Sequence, residues 1–267
     1  MSKLLRANFF RLFKSRLFRI CIIGIFAAAV FAVFDQAKHT KVIDGMLFSG
    51  IDIISIVSAV FISIFAGTEY SDGTMRNKLY VGHSRASVYG ASLVTCAAAA
   101  LIMHIVLIAA VVCFGIPVIG RTDFTAREII LLFLLSVLTV TAYSSMYILL
   151  GMLITSKAAG AVAAVILSFV LISAADRLAN SINVPEYGYY DIEYGHYFED
   201  VPNPKYPSET KRKIIQTALN ILPSGQALQL SYGELPENAV ELPLYALADI
   251  GVTTVVGIMI FRRKDIK

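Results

Sequence analysis

The sequence has no tryptophan, only three cysteines and four histidines, and little charge, 16% of its 267 residues. Without tryptophan, aromatic anchoring at a membrane surface falls to the 13 tyrosines. Cys21, Cys96 and Cys113 all lie in apolar runs, which excludes a disulfide framework and a cysteine metal site and leaves them as small packing residues. His39, His83, His104 and His196 are scattered, with neither HExxH nor any other metal-ligand spacing. A phosphate loop, GxxxxGK followed by Ser or Thr, is missing, so the chain does not bind ATP in that manner. The GHS at Gly82–Ser84 lacks the strand–turn–helix setting of a nucleophile elbow. No catalytic, metal or cofactor site of its own is expected, and no nucleic-acid partner.

What the chain has is apolar surface. Its 57% apolar content and mean hydropathy of +0.70 compare with about 45–50% apolar and about 25% charged residues in soluble domains. Nothing alternates as barrel strands would. Six stretches can cross a hydrocarbon layer, which takes about 20 helical residues. They run Leu17–Phe34, Met46–Gly67, Val88–Phe114, Ile129–Ile154, Ala158–Ala175 and Leu242–Phe261, the second being fully apolar only from Ile53. The expectation is an all-α integral membrane protein, a single domain over residues 1–267.

Lysine and arginine set the orientation. With both termini inside, inner segments carry 14 basic residues against three acids (Glu69, Asp72, Asp265), and outer segments nine against 15. This favours an N-in, C-in arrangement in a bacterial plasma membrane. Residues 1–16 form a basic amphipathic segment in which Leu5, Phe9, Leu12, Phe13 and Leu17 recur at helical spacing. Such a helix suits the headgroup plane of anionic lipid, as an elbow before the first span. The apolar run after it is too long for a typical signal peptide, so the segment is expected to stay.

Small residues from Gly90 to Ala100 and from Ala158 to Ala164 suit close helix packing, inside the bundle or at a dimer seam. Thr125-Ala-Arg-Glu128 fits a capping box, so a helix should begin at Ala126. Residues 176–241 form the large outer segment, rich in acids, with Tyr187, Tyr189, Tyr190, Tyr194, Tyr197 and Tyr206. Pro185, Pro202, Pro204 and Pro207 are expected to break up regular structure there. Ser208 reads as the cap of an interfacial helix with Ile214, Ile215, Ala218, Leu219 and Leu222 on one face, ending at Pro223-Ser-Gly225.

Ionisable groups at membrane depth need a reason. At 1.5 Å per residue, Asp249 lies about 10 Å and His104 about 15 Å from the outer ends of their spans. Asp52 lies about 9 Å in if its span starts at Met46. With the hydroxyls of Thr141 and Ser144, these three are the candidate lining of a polar path.

The most informative stretch is the polar connection GTEYSDGTMRNKLYVGHSR, Gly67–Arg85. Extended to Leu93, it resembles the signature of type-2 permeases of ATP-binding-cassette (ABC) exporters. There an acidic residue ends the second helix, and a Gly-Thr turn, a basic-polar stretch and Ser-Arg precede the third. The matching positions are Glu69, Gly73, Thr74, Arg76, Asn77, Gly82, Ser84 and Arg85. The tail IMIFRRKDIK, Ile258–Lys267, and NILPSGQALQLS, Asn220–Ser231, are also similar to family segments.

The resemblance implies two copies of a separate ATPase, carrying ATP and Mg. Residues 67–86 would be the coupling element on which they dock, through Glu69, Gly73, Thr74, Arg76, Asn77, Leu79, Tyr80, Ser84 and Arg85, around Met75. It also implies a second permease protomer, identical or related. Glu69 is expected to pair with Arg76 or Arg85, and Lys157 to lie in a short loop. Cargo would be an amphipathic peptide, lipid or drug. The competing readings are an ion-coupled carrier using Asp52, His104 and Asp249, and a membrane anchor or immunity subunit without flux.

Overall fold

A computed structural model describes residues 1–191 and 196–264. Tyr194 and the last three residues of the tail motif, Asp265 to Lys267, lie outside them. The amphipathic segment is helix α1 (Ser2–Lys14), and Ser15 turns the chain into α2 (Arg16–Gln36), its hydroxyl accepting from the Phe18 amide. The short α3 (Asp44–Leu47) leads through a turn into α4 (Ile51–Ser71). Asp52 is thus the second residue of α4, just past the turn inside the apolar span Asp44–Ser71. Gly73, in the left-handed region at φ +67°, separates α4 from the seven-residue α5 (Thr74–Tyr80).

The Ser84 hydroxyl caps α6 (Arg85–Val118), whose 34 residues make a rod about 51 Å long, more than a hydrocarbon layer needs. The capping box at Thr125 and Glu128 forms as expected and opens α7 at Ala126, which runs to Leu153. Ser156 caps α8 (Lys157–Ile182), so Lys157 is the first residue of a helix and not part of a loop. The last long helix is α11 (Leu242–Arg263). Among the described residues, six helices are long and apolar enough to cross a membrane, the make-up of a multi-pass membrane protein.

Residues 187–202 hold an element missed by the sequence reading. Strands β1 (Tyr187–Asp191) and β2 (His196–Pro202) form an antiparallel hairpin, with Tyr187 opposite Pro202. The prolines bound the strands instead of preventing them. Ser208 caps α9 (Glu209–Ile221) as expected, but its inward face is Ile215 and Leu219, while Ile214 points out. Pro223-Ser-Gly225 does not end the segment. Pro223 starts a second helix, α10 (Pro223–Ser231), at the position where its missing amide costs nothing. Pro223 to Ala227 are all buried against α7 and α8, and the Ser224 hydroxyl donates to the Leu171 carbonyl at 2.7 Å.

α4 lies at the centre, flanked by α8, α7, α6 and α2. Burial covers 61% of its most apolar window and only 17% of that of α11, whose Leu244, Leu247, Val252 and Val255 face outward. Close approach is sequence-encoded at Gly67, where an added Cβ would stand 2.7 Å from the Lys157 Cα, too near for any side chain. At one end of the bundle, the proximal end, α1 meets α5 and the end of α11 meets the start of α6; α9 and α10 pack on α8 toward the other, distal end.

Candidate functional site

The proximal end is built around one carboxylate. Glu69, in the last turn of α4, is 1% exposed. Its Oε1 accepts from Lys78 Nζ of α5 at 2.6 Å and pairs with Arg11 Nη2 of α1 at 2.9 Å. Lys78 Nζ also donates to Asn8 Oδ1 at 2.9 Å, and Arg11 donates to the Phe65 carbonyl while its guanidinium lies 3.7 Å over the Phe65 ring. Three helices therefore meet on one buried charge. The partners are not Arg76 or Arg85. The left-handed turn at Gly73 folds α5 back so that Lys78 faces Glu69, while Arg76 points to solvent. Losing one member of a buried pair typically costs about 3–5 kcal/mol, because the remaining charge is stranded.

That node fixes which face of α5 is free. Met75 is fully buried and holds the helix to the bundle, so it offers nothing to a partner. The Thr74 hydroxyl donates to the Glu69 carbonyl at 3.1 Å, and Leu79 packs partly against the core. Arg76 and Asn77 are exposed, and Tyr80 and Val81 are about 80% exposed. Large side chains held that far out on a braced helix, with an arginine alongside, have the composition of an interface anchor.

Arg85 serves a different purpose. Its Nη1 donates to the Phe261 carbonyl at 2.8 Å and to that of Lys264. Lys264 Nζ in turn donates to the carbonyls of Met152 at 2.7 Å and Leu153 at 3.0 Å, where Tyr70 also bonds Met152. These cations satisfy the orphan carbonyls at the ends of α11 and α7 and oppose their negative dipole ends. Burial lowers the Lys264 ammonium from its ordinary value. Of the nine residues expected at a docking face, Arg76, Asn77, Tyr80 and Ser84 are exposed; Glu69, Thr74 and Arg85 are engaged within the chain.

The candidate path residues are not brought together. Asp52 accepts from Tyr143 at 3.3 Å, fully buried His104 bonds Ser136 through Nε2 at 2.8 Å, and half-buried Asp249 has an Oδ2 without a partner among the described residues. Thr141 and Ser144 donate to their own helix at Val137 and Val140. Tyr147 adds two further cross-helix bonds, to Ser55 of α4 at 2.5 Å and to Ser168 of α8 at 2.8 Å, and stacks on Tyr143.

Sequence reasoning missed Lys78, Asn8, Arg11 and Lys264. A signal existed for Asn8. Leu4, Asn8 and Leu12 recur every four residues and form the buried face of α1, whereas Phe13, read as part of that face, is 60% exposed. No group of three His, Cys, Asp or Glu able to hold a metal ion occurs among the described residues. No protein-family model and no curated protein matches this chain.

Proposed function

We propose that the chain is the permease subunit of a type-2 ABC exporter, with both termini and α5 on the cytoplasmic side of a bacterial plasma membrane. In this reading α5 is the coupling helix on which a separate ATPase docks, one per protomer of a permease dimer. α1 is the elbow helix, lying in the headgroup plane with Lys3, Arg6, Lys14 and Arg16 toward anionic lipid. The observation that carries the reading is the exposed Arg76–Asn77–Tyr80–Val81 face, held out by Met75 and the Glu69 node. A solvated turn has no reason to be braced by a buried carboxylate.

Mechanically, closure of two ATPases on ATP would press on α5. Because Lys78 and Arg11 share Glu69, α1 and the base of α4 would move with it as one body. The Gly67–Lys157 contact carries that movement toward α8. The ATPase supplies the free-energy difference, and this subunit supplies two arrangements and a path for an amphipathic peptide, lipid or drug. A proton or sodium relay through Asp52, His104 and Asp249 draws no support from their separate hydrogen bonds.

The test is copurification of the neighbouring ATPase with Tyr80→Asp and Arg76→Glu variants, alongside ATP turnover. Reduced complex yield at unchanged permease melting temperature is expected. Wild-type yield and turnover in both variants would overturn the docking assignment.

A further inference from the structure

At the distal end, the helix pair α9–α10 and the loop after it enclose a cavity of about 410 Å³, within the range of small-molecule sites. Its floor is apolar, from Ala179 and Ile182 of α8 with Leu219 and Leu228. One wall is a cluster of amides from Gln216, Gln229 and Asn238 around the buried Asn220.

The bonds within that cluster run one way. Gln216 Nε2 donates to Asn220 Oδ1 at 3.1 Å and to Gln229 Oε1 at 3.0 Å. Asn238 Nδ2 donates to the same two oxygens at 2.5 and 3.0 Å, and Gln229 Nε2 to Asn220 Oδ1 and the Gly225 carbonyl. The donors of Gln216, Gln229 and Asn238 are therefore spent internally, while the exposed Asn183 at the cavity edge keeps its amide free of any partner among the described residues. Gln216 Oε1 and Asn238 Oδ1 remain as acceptors without a hydrogen-bond partner among the described residues. Toward a guest, the Gln216–Gln229–Asn238 wall therefore turns carbonyl oxygens, the negative ends of its amides.

The mouth adds charge of the same sign. Glu234 and Glu237 line it, both exposed and without an ion-pair partner among the described residues, and Tyr232 offers an aromatic face. No described lysine, arginine or histidine lines the cavity. Glu234 also borders an adjoining cavity of about 510 Å³ with Asp44, Asp123 and Glu128. There Asp44 is held by Thr122 and the Asp123 amide, and Glu128 by Thr125, which leaves Asp123 and Glu234 as the carboxylates on the approach not engaged by described residues.

We infer that this cavity binds an amphipathic cation: a primary ammonium or guanidinium group on an apolar body, as in a lipophilic amine or a basic peptide side chain. The cationic head meets Glu234, Glu237 and the free amide oxygens, with Tyr232 in reach for a cation–π contact, and the apolar body lies on the leucine floor. An anion would find two carboxylates and the amide oxygens, with the neutral Asn183 amide as its donor and no cation among the described lining. The inference deepens the export reading and rests on it only for the fate of the bound molecule.

The experiment titrates the purified full chain, in phosphatidylcholine nanodiscs and without ATPase, with dansylcadaverine, whose dansyl fluorescence reports burial. Its N-acetylated, uncharged analogue is the comparison. Saturable binding of the amine is expected, with affinity about tenfold weaker for the acetylated probe and for the double variant Glu234→Gln/Glu237→Gln. Raising salt to about 1 M, where charges are screened beyond about 3 Å, should weaken the amine alone. Both carboxylates are exposed, so an unchanged melting temperature will show the double variant folded. Equal affinity for the two probes, or full affinity in the double variant, would overturn the site. Amine binding without ATP-driven flux would count against the export reading alone, and flux without amine binding against this site alone.

Discussion

The two ends of the bundle are fastened by opposite chemistry. Proximally, one buried carboxylate shared by Arg11 and Lys78 ties α1, α4 and α5. Distally, neutral amides of Asn220, Gln216, Gln229 and Asn238 tie α9, α10 and the following loop. A buried ionic node is a poor source of net stability, since burying three charges costs about what their attraction returns. It is a strict geometric rule, because a small displacement strands a charge. An amide network tolerates rearrangement, since each group can exchange one neutral partner for another or for water. The difference teaches that the proximal end is held in one geometry and the distal end by contacts that can be exchanged.

That contrast can be broken at Glu69 first. Glu69→Ala strands two cations and should lower stability by about 3–5 kcal/mol, read as thermal melting of the purified protein. Replacing the whole node, Glu69→Leu with Arg11→Leu and Lys78→Met, should recover most of that loss while uncoupling ATP turnover from transport; a triple variant as unstable as Glu69→Ala would refute the geometric role. At the distal end Asn220→Leu removes the hub acceptor and should cost less, about 1–3 kcal/mol, because its donors can turn to water. A loss equal to that of Glu69→Ala would erase the comparison. Ser224→Ala, which deletes the hydroxyl that bonds Leu171, should cost about 1 kcal/mol in the same assay. Tyr80→Ala and Val81→Ala should change melting by no more than about 0.5 kcal/mol, since neither side chain has much left to lose. If α5 is the docking helix proposed above, their effect should appear only in ATPase retention, and a marked stability loss would show that the tip of α5 belongs to the core.

Much of this fold is written locally and was legible for that reason. The six apolar runs fall on the six long helices, and the hydroxyl caps at Thr125 and Ser208 lie where spacing places them. The hairpin was not legible although its pairing is local, because the prolines in and around it read as breakers of regular structure. The Glu69 node was half legible. An acid at the foot of a span must be paired, but the reading offered Arg76 or Arg85 and passed over Lys78, which takes the place. One backbone dihedral at Gly73 decides it, together with the site on which α1 docks. Arg85 misled for a related cause: the carbonyls it satisfies belong to the end of α11 and the residue after it, more than 170 residues away. The amide cavity was invisible for the same reason, since Gln216 and Asn238 meet only after α9 and α10 fold over α8.

The length of α6 has a mechanical consequence. Tyr89, near its start, lies against α11, and Gly115, near its finish, against Ile43 in the chain entering α3. A single stiff rod touching both faces needs no chain of intermediaries to connect them. A tilt of about 5° at Ser84 would sweep the opposite tip roughly 4 Å, enough to loosen or tighten whatever it leans on.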